Sequence, residues 1–241
     1  MIALAQLYQS LLQNLQKKEK TRVKAEYITH SGDDLLVVNS ARVSMGKHRE
    51  EFEEDDKKLL AYLAKHQHWT PFSHPQITLR EKVPIFVARQ RFKHMVGFTY
   101  NEISRRYVDD EPEFYTPDVW RSRPEGSVKQ GSGDDDLSGT VIGEVEYLGT
   151  VREHYESSIA AMKDLYDDMI KARVAPEQAR MVLPQSMYTE YYVTGSLAAF
   201  ARAYKQRIDS HAQKEIQDLA VEWDRIIASL FPESWEVLTN D

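Results

Sequence analysis

The chain has 241 residues, a formal net charge of −7, 41% hydrophobic and 29% charged residues, and no cysteine. This composition fits a folded chain with one substantial core rather than a disordered one, and it excludes disulfides, thiolate metal sites and a cysteine nucleophile. The acidic balance argues against a broad polyanion-binding surface, and no stretch approaches the roughly 18 uninterrupted apolar residues of a membrane span. Neither a nucleic-acid nor a membrane partner is therefore expected. A cytoplasmic location is, because the opening residues lack the basic start and long apolar run of a secretory leader.

The spacing Ile2, Leu4, Leu7, Tyr8, Leu11, Leu12, Leu15 predicts an amphipathic helix over residues 1–20. Arg22 to His30 and Leu35 to Asn39 read as strands, joined by the turn Ser31-Gly32-Asp33-Asp34. Helical spacing returns between Asp55 and His66, followed by an aromatic polar loop to His74. Gln76 to Lys82 alternates as a strand does. Pro84 suits a helix first turn, and the next helix runs to about Val96, with Gly97 as its stop. Residues 121–146 hold Pro124, five glycines and three consecutive aspartates, and read as a flexible loop or insertion. Tyr147 to Ala172 is an amphipathic helix. Pro176 starts a short helix that Pro184 ends, and Ser196 to Leu230 is strongly helical. With no repeat and no linker, the chain reads as one catalytic domain of α+β class, an antiparallel sheet with long helices packed on it.

Neither G-x-G-x-x-G nor G-x-x-x-x-G-K occurs. A phosphorylated ligand must then be held by side-chain cations or helix ends. The segment Arg89 to Tyr107 offers such cations. On a helix, Gln90, Lys93 and His94 share one face, while Ile85, Ala88, Phe92 and Met95 pack on another. That polar face reads as a ligand edge or as a solvated basic surface. If the next residues are extended, Glu102, Ser104 and Arg106 point one way. They would put an acceptor, a hydroxyl and a phosphate-forking guanidinium in a row. An ordinary edge strand with a surface salt bridge satisfies the same pattern.

Four blocks decide between these readings. They are Ala41-Arg-Val-Ser44, Thr70-Pro-Phe-Ser-His74, Arg89 to Tyr107, and Ala179-Arg-Met-Val-Leu-Pro184 with Arg207-x-Asp-Ser-His-Ala-Gln213. In this order they resemble the flavin-dependent thymidylate synthases, over most of the chain from Arg42 to Gln217. The resemblance implies the thymidylate synthase-complementing protein fold. It also implies reductive methylation of deoxyuridine monophosphate (dUMP) to dTMP. Methylenetetrahydrofolate would supply the carbon, and FAD reduced by NADPH the hydride. It implies a homotetramer with shared active sites.

Residue by residue, the resemblance assigns dUMP contacts to Gln90, Arg91, Phe92, Lys93, Glu102, Ile103, Ser104, Arg105, Arg106, Arg180 and Arg207. Arg207 would polarise the uracil ring, with His74 close to the reaction centre and Ser104 as a substrate contact. Lys93, His94, Met95, Glu102, Ser196, Arg202 and His211 would hold FAD. Three features depart from the family pattern. Its Arg-His-Arg triplet is Lys93-His94-Met95 here, eight residues rather than seven separate Met95 from Ser104, and Ser196 and Ala198 stand where Asn and Arg are common. No metal is expected. Two rival readings remain: a non-catalytic nucleotide or RNA-binding module, and a metal-dependent hydrolase built on His66, His68 and His74.

Overall fold

The computed structural model describes residues 23–107, 110–124, 131–144 and 148–240. The helix expected over 1–20 lies outside them. In chain order the elements are β1 (Lys24–Ser31), α1 (Asp34–Arg42), α2 (Glu54–Lys65), β2 (Gln76–Pro84), α3 (Ile85–Arg91), β3 (Phe98–Glu102), β4 (Val141–Ile142), β5 (Gly149–Thr150), α4 (Val151–Lys171), α5 (Pro176–Ala179), β6 (Tyr188–Ser196), α6 (Leu197–Arg207), α7 (Lys214–Leu230) and α8 (Pro232–Thr239). They form two compact units interleaved along the sequence.

The first unit comprises residues 24–82, 87–102 and 190–241. It holds the four-stranded sheet, in the order β1-β2-β6-β3. The pairs β1/β2 and β3/β6 are antiparallel. On β2, Ile77, Leu79 and Glu81 are fully buried while Arg80 is exposed, the period-two signature of a sheet with one covered face. Phe200 on α6 and Ile216, Leu219, Trp223 and Ile227 on α7 complete that core. The mixed helix and antiparallel-sheet class expected from sequence is the one observed.

One expected strand is a helix. Leu35 to Asn39 lies inside α1 because Asp33 caps it, its carboxylate accepting the Leu36 N–H at 2.8 Å. Gly32 turns the chain into that cap at φ +79°. The β-favouring Leu-Leu-Val-Val run loses to the cap and to Asp34 in the first turn. β6 went unread in the sequence, although Tyr191 and Val193 are buried on one side of it and Tyr192 is exposed on the other.

The second unit comprises Val23 and the described residues of 83–86 and 103–189. Its α4 begins at a capping box, in which Thr150 and Glu153 satisfy each other's backbone N–H groups. The rings of Tyr155 and Trp120 meet at 4.9 Å, and the Tyr155 hydroxyl donates to the Tyr115 carbonyl at 2.5 Å. Within the stretch expected as a loop Arg121 bridges to Asp136, and β4 pairs with β5, which occupies the start of the helix expected from Tyr147.

Candidate functional site

The first unit concentrates the candidate residues around the end of α3. That helix stops at Arg91, not at Val96. Two tight turns follow. Lys93 and His94 donate to the carbonyls of Gln90 and Arg91, and Phe98 donates to that of Met95. Gly97 closes them at φ +80°, and a Cβ there would sit 2.9 Å from the Ala199 methyl. Gln90, Lys93 and His94 thus do not share a helix face, and Met95 is 73% exposed rather than packed.

The turn is anchored by a buried ionic chain. Arg91 and Glu81 are both fully buried, with Arg91 Nε 3.1 Å from Glu81 Oε2. Glu81 also accepts from Trp223 Nε1 at 2.8 Å. The Arg91 guanidinium lies 4.3 Å from the Phe98 ring centroid and 4.6 Å from that of Trp223. Its Nη1 donates to the Tyr100 hydroxyl, which donates to the His94 carbonyl, each at 2.7 Å. Burial, and then Glu81, push the Tyr100 hydroxyl up to about 12, so it stays protonated as a donor. Arg91 is therefore no dUMP contact. A guanidinium enclosed by the Glu81 carboxylate and the rings of Phe98, Tyr100, Phe200 and Trp223 has no edge for a ligand. Phe92 likewise packs edge-on against Tyr100 and Tyr191.

Beyond the turn, Arg207 at the end of α6 donates through Nε to His94 Nε2 at 2.8 Å. His94 is buried, and that burial, followed by Arg207, Arg91 and Arg202, pulls its pKa down to about 4. The ring is neutral at neutral pH. Burial and then Arg91 lower the Arg207 pKa too, yet a guanidinium stays charged at any working pH. Gln90 donates its side-chain amide to Gln213, and Arg202 donates to the Val96 carbonyl.

Two neighbouring cavities lie in this unit, and the first is lined by Val96 and Gly97 of the turn. This one, of about 490 Å³, is also lined by the apolar Phe72, Ala198, Ala199 and Leu238 and by the buried Ser196, with the exposed Arg202 and Lys205 at its rim. The other, of about 560 Å³, is lined by Ala41, Ser44, Thr70, Pro71 and His74 among others. They share Leu63, Gln67, His68 and Trp69 as a common wall. Blocks far apart in sequence thus face the same space.

A family model described as "Thymidylate synthase complementing protein" matches residues 26–233. The chain belongs to this family. Among its relatives are flavin-dependent thymidylate synthases from Thermosipho africanus, 39% identical over 84% of this chain and 82% of that protein, and from Kosmotoga olearia, 38% identical over 87% and 86%. The crystal structure of a UMP/dUMP methylase, PolB, from Streptomyces cacaoi bound with 5-Br dUMP superposes with a TM-score of 0.76. It is 27% identical and covers 91% of this chain and 95% of that one.

For a thymidylate synthase-complementing protein, the FAD residues expected from sequence fall into two groups. Ser196 and Arg202 line the first cavity, and His94 lies in the turn beside it. Ser196 is buried, and its hydroxyl caps α6 by accepting the Ala199 N–H at 3.2 Å, which takes up part of its hydrogen-bonding capacity. Lys93 and Met95 are exposed beside the turn. His211 is exposed and pairs with Asp209 Oδ1 at 2.9 Å. The donor set fits a flavin dinucleotide. Apolar residues line the cavity, which suits a planar ring system, and Arg202 and Lys205 at its rim suit a pyrophosphate. The glycine at position 97 keeps the turn close to the first residues of α6.

The strand expected over Asn101 to Tyr107 ends at Glu102. Glu102 closes β3 in the first unit. Ile103, Ser104, Arg105 and Arg106 belong to the second, where the Tyr107 N–H donates to the Ser104 carbonyl at 2.9 Å. Glu102, Ser104 and Arg106 thus do not line one strand face. The partners of Ser104 Oγ among the described residues are Arg106 N and Nε, at 3.4 and 3.5 Å. Both are donors, and among the described residues no base contacts this hydroxyl. Arg105 donates to the Asp110 carbonyl, and Arg180 is exposed at the end of α5.

His66 lies tilted against Tyr62 and His68 meets it edge-on, at centroid distances of 4.4 and 6.0 Å. Among the described residues no group of three His, Cys, Asp or Glu could hold a metal ion. Gln213 and Tyr100 were missed in the sequence reading. The only signal for Gln213 was its place at the end of the Arg207 block, and Tyr100 had none.

Proposed function

We propose that this protein is a flavin-dependent thymidylate synthase that converts dUMP to dTMP with methylenetetrahydrofolate and NADPH. The observation that carries the reading is the match, over more than four-fifths of both chains, to relatives bearing that name. The absence of cysteine is consistent with it, because the alternative cysteine attack on the uracil ring is closed to this chain. FAD, when bound, supplies the hydride chemistry that links NADPH to the new methyl group.

The chain's own residues orient and polarise. Arg207 presents its guanidinium to the uracil edge and draws electron density from the ring. Gln90, Glu102, Ser104, Arg105 and Arg106 hold the nucleotide, and Arg180 reaches it from another subunit of a homotetramer. Arg202, with Lys205, takes the flavin side. His74 lines the space where the folate carbon would meet the base. The reaction belongs in the cytoplasm. Among the described residues no helix is long and apolar enough to cross a membrane.

Flavin titration tests this reading. The purified protein is expected to show, or acquire on adding FAD, the yellow absorbance of a bound flavin, bleached by NADPH without oxygen. A protein that stays colourless in excess FAD refutes it. Salt-sensitive binding to single-stranded RNA in that colourless protein would favour the nucleic-acid module instead.

A further inference from the structure

The Nε–H of an arginine carries one proton and never accepts. Arg207 Nε lies 2.8 Å from His94 Nε2. That ring nitrogen must hold a lone pair, and the ring proton sits on Nδ1. With Nε–H taken by His94, Arg207 keeps its two Nη groups, the edge that forks onto a planar acceptor. Rotation of the guanidinium about its long, flexible stem is thereby fixed by one contact across 113 residues of sequence.

His94 is itself held from behind. Its carbonyl accepts from Tyr100, Tyr100 accepts from Arg91, and Arg91 is locked to the fully buried Glu81. We propose that His94 is the positioning residue of Arg207. Its unprotonated Nε2 sets which guanidinium edge faces the base, and the Glu81–Arg91–Tyr100 chain fixes His94 in place. The proposal rests on the reading of Arg207 as the residue that polarises uracil. It differs from the role the resemblance implies for His94, which is flavin contact.

The charged and titratable groups that act on the ring favour the lone pair. Arg207 and Arg202 come from α6 and Arg91 from α3, and together with burial they hold the imidazole far below its usual range. An imidazolium there would repel three guanidiniums and lose its acceptor.

Two substitutions separate the roles. His94→Leu keeps the bulk and removes the acceptor, whereas His94→Gln puts an amide oxygen near the position of Nε2. In the FAD-loaded protein, His94→Leu is expected to lower kcat for dTMP formation on the order of 10²-fold, the cost of a catalytic group displaced by about 1 Å. FAD affinity, read by flavin fluorescence, should stay unchanged, and His94→Gln should recover most of the loss. Near-normal kcat in His94→Leu overturns the proposal. So does equal impairment of both variants, or a loss confined to FAD affinity.

Should either variant fail to fold, Tyr100→Phe decides. It removes only the hydroxyl behind His94 and is expected to lower kcat several-fold, and an unchanged kcat overturns the chain of support. Nitrogen-15 spectra of the wild-type histidines at pH 7 give an answer independent of turnover. The Nδ1–H form is expected at His94, and a proton on Nε2 contradicts the proposal. If that form is present but no dTMP is made, it is the functional reading that fails, while the contact stands.

Discussion

Strand β2 carries two ion pairs on successive residues, one on each face. Outside, Arg80 pairs with Glu190 and lies 3.9 Å from Glu26, with its side chain 46% exposed. Inside, Glu81 pairs with Arg91, and neither side chain reaches solvent. The charges are alike but the physics differs. Water screens the outer pair and leaves it worth roughly 0–1 kcal/mol. The inner pair has lost its hydration, so its Coulomb attraction is largely cancelled by desolvation. What the inner pair supplies is geometry, since it fixes Tyr100, and through Tyr100 the carbonyl of His94. An ion pair in this core organises the candidate site more than it stabilises the fold.

The largest test of that contrast is Arg91→Ala. It strands a buried carboxylate and should cost about 3–5 kcal/mol in urea unfolding. Replacing the whole pair, with Glu81→Leu and Arg91→Met together, should recover most of that stability while dTMP formation stays impaired. Full recovery of both would mean the pair organises nothing. Next in size is Gly97→Ala, which forces a side chain into a left-handed backbone 2.9 Å from Ala199 and should cost about 1–3 kcal/mol.

The pH dependence comes third. The His94 pKa falls from 6.5 to about 4 on folding. Between those values the unfolded chain binds a proton that the folded chain refuses. The contribution of this group is therefore complete above pH 6.5 and is lost as the pH falls towards 4. Urea midpoints at pH 7 and 4.5 should differ less in His94→Gln than in the wild type. The smallest effect is at the outer pair. Glu190→Gln should change stability by no more than about 1 kcal/mol, and by less in high salt. A loss as large as that of Arg91→Ala would erase the distinction between the two faces.

Local signals were legible in the sequence wherever they agreed with one another. β1, α2, β2 and α4 appear close to their expected bounds, because apolar period and end residues pointed the same way. Leu35 to Asn39 was misread because its β-favouring residues spoke louder than a single cap at Asp33. The helix through Val96 was misread for a non-local reason. Arg91 turns inward to Glu81, and Tyr100 captures the His94 carbonyl where another helical turn would have formed. The residue types of the candidate site were visible, as Arg207, His94 and Gln90 were all singled out. Their pairings were not, because Arg207 with His94 and Gln90 with Gln213 each join residues more than 110 apart. Arg91 is expected from sequence as a dUMP contact among other cations, and only the core reveals its partner.

The most direct measurement is product formation. Purified protein supplied with dUMP, methylenetetrahydrofolate, NADPH and FAD is expected to release dTMP, and to release none when FAD is withheld from flavin-stripped protein. dTMP made equally well without flavin, or no dTMP from protein that demonstrably holds FAD and dUMP, would contradict the account.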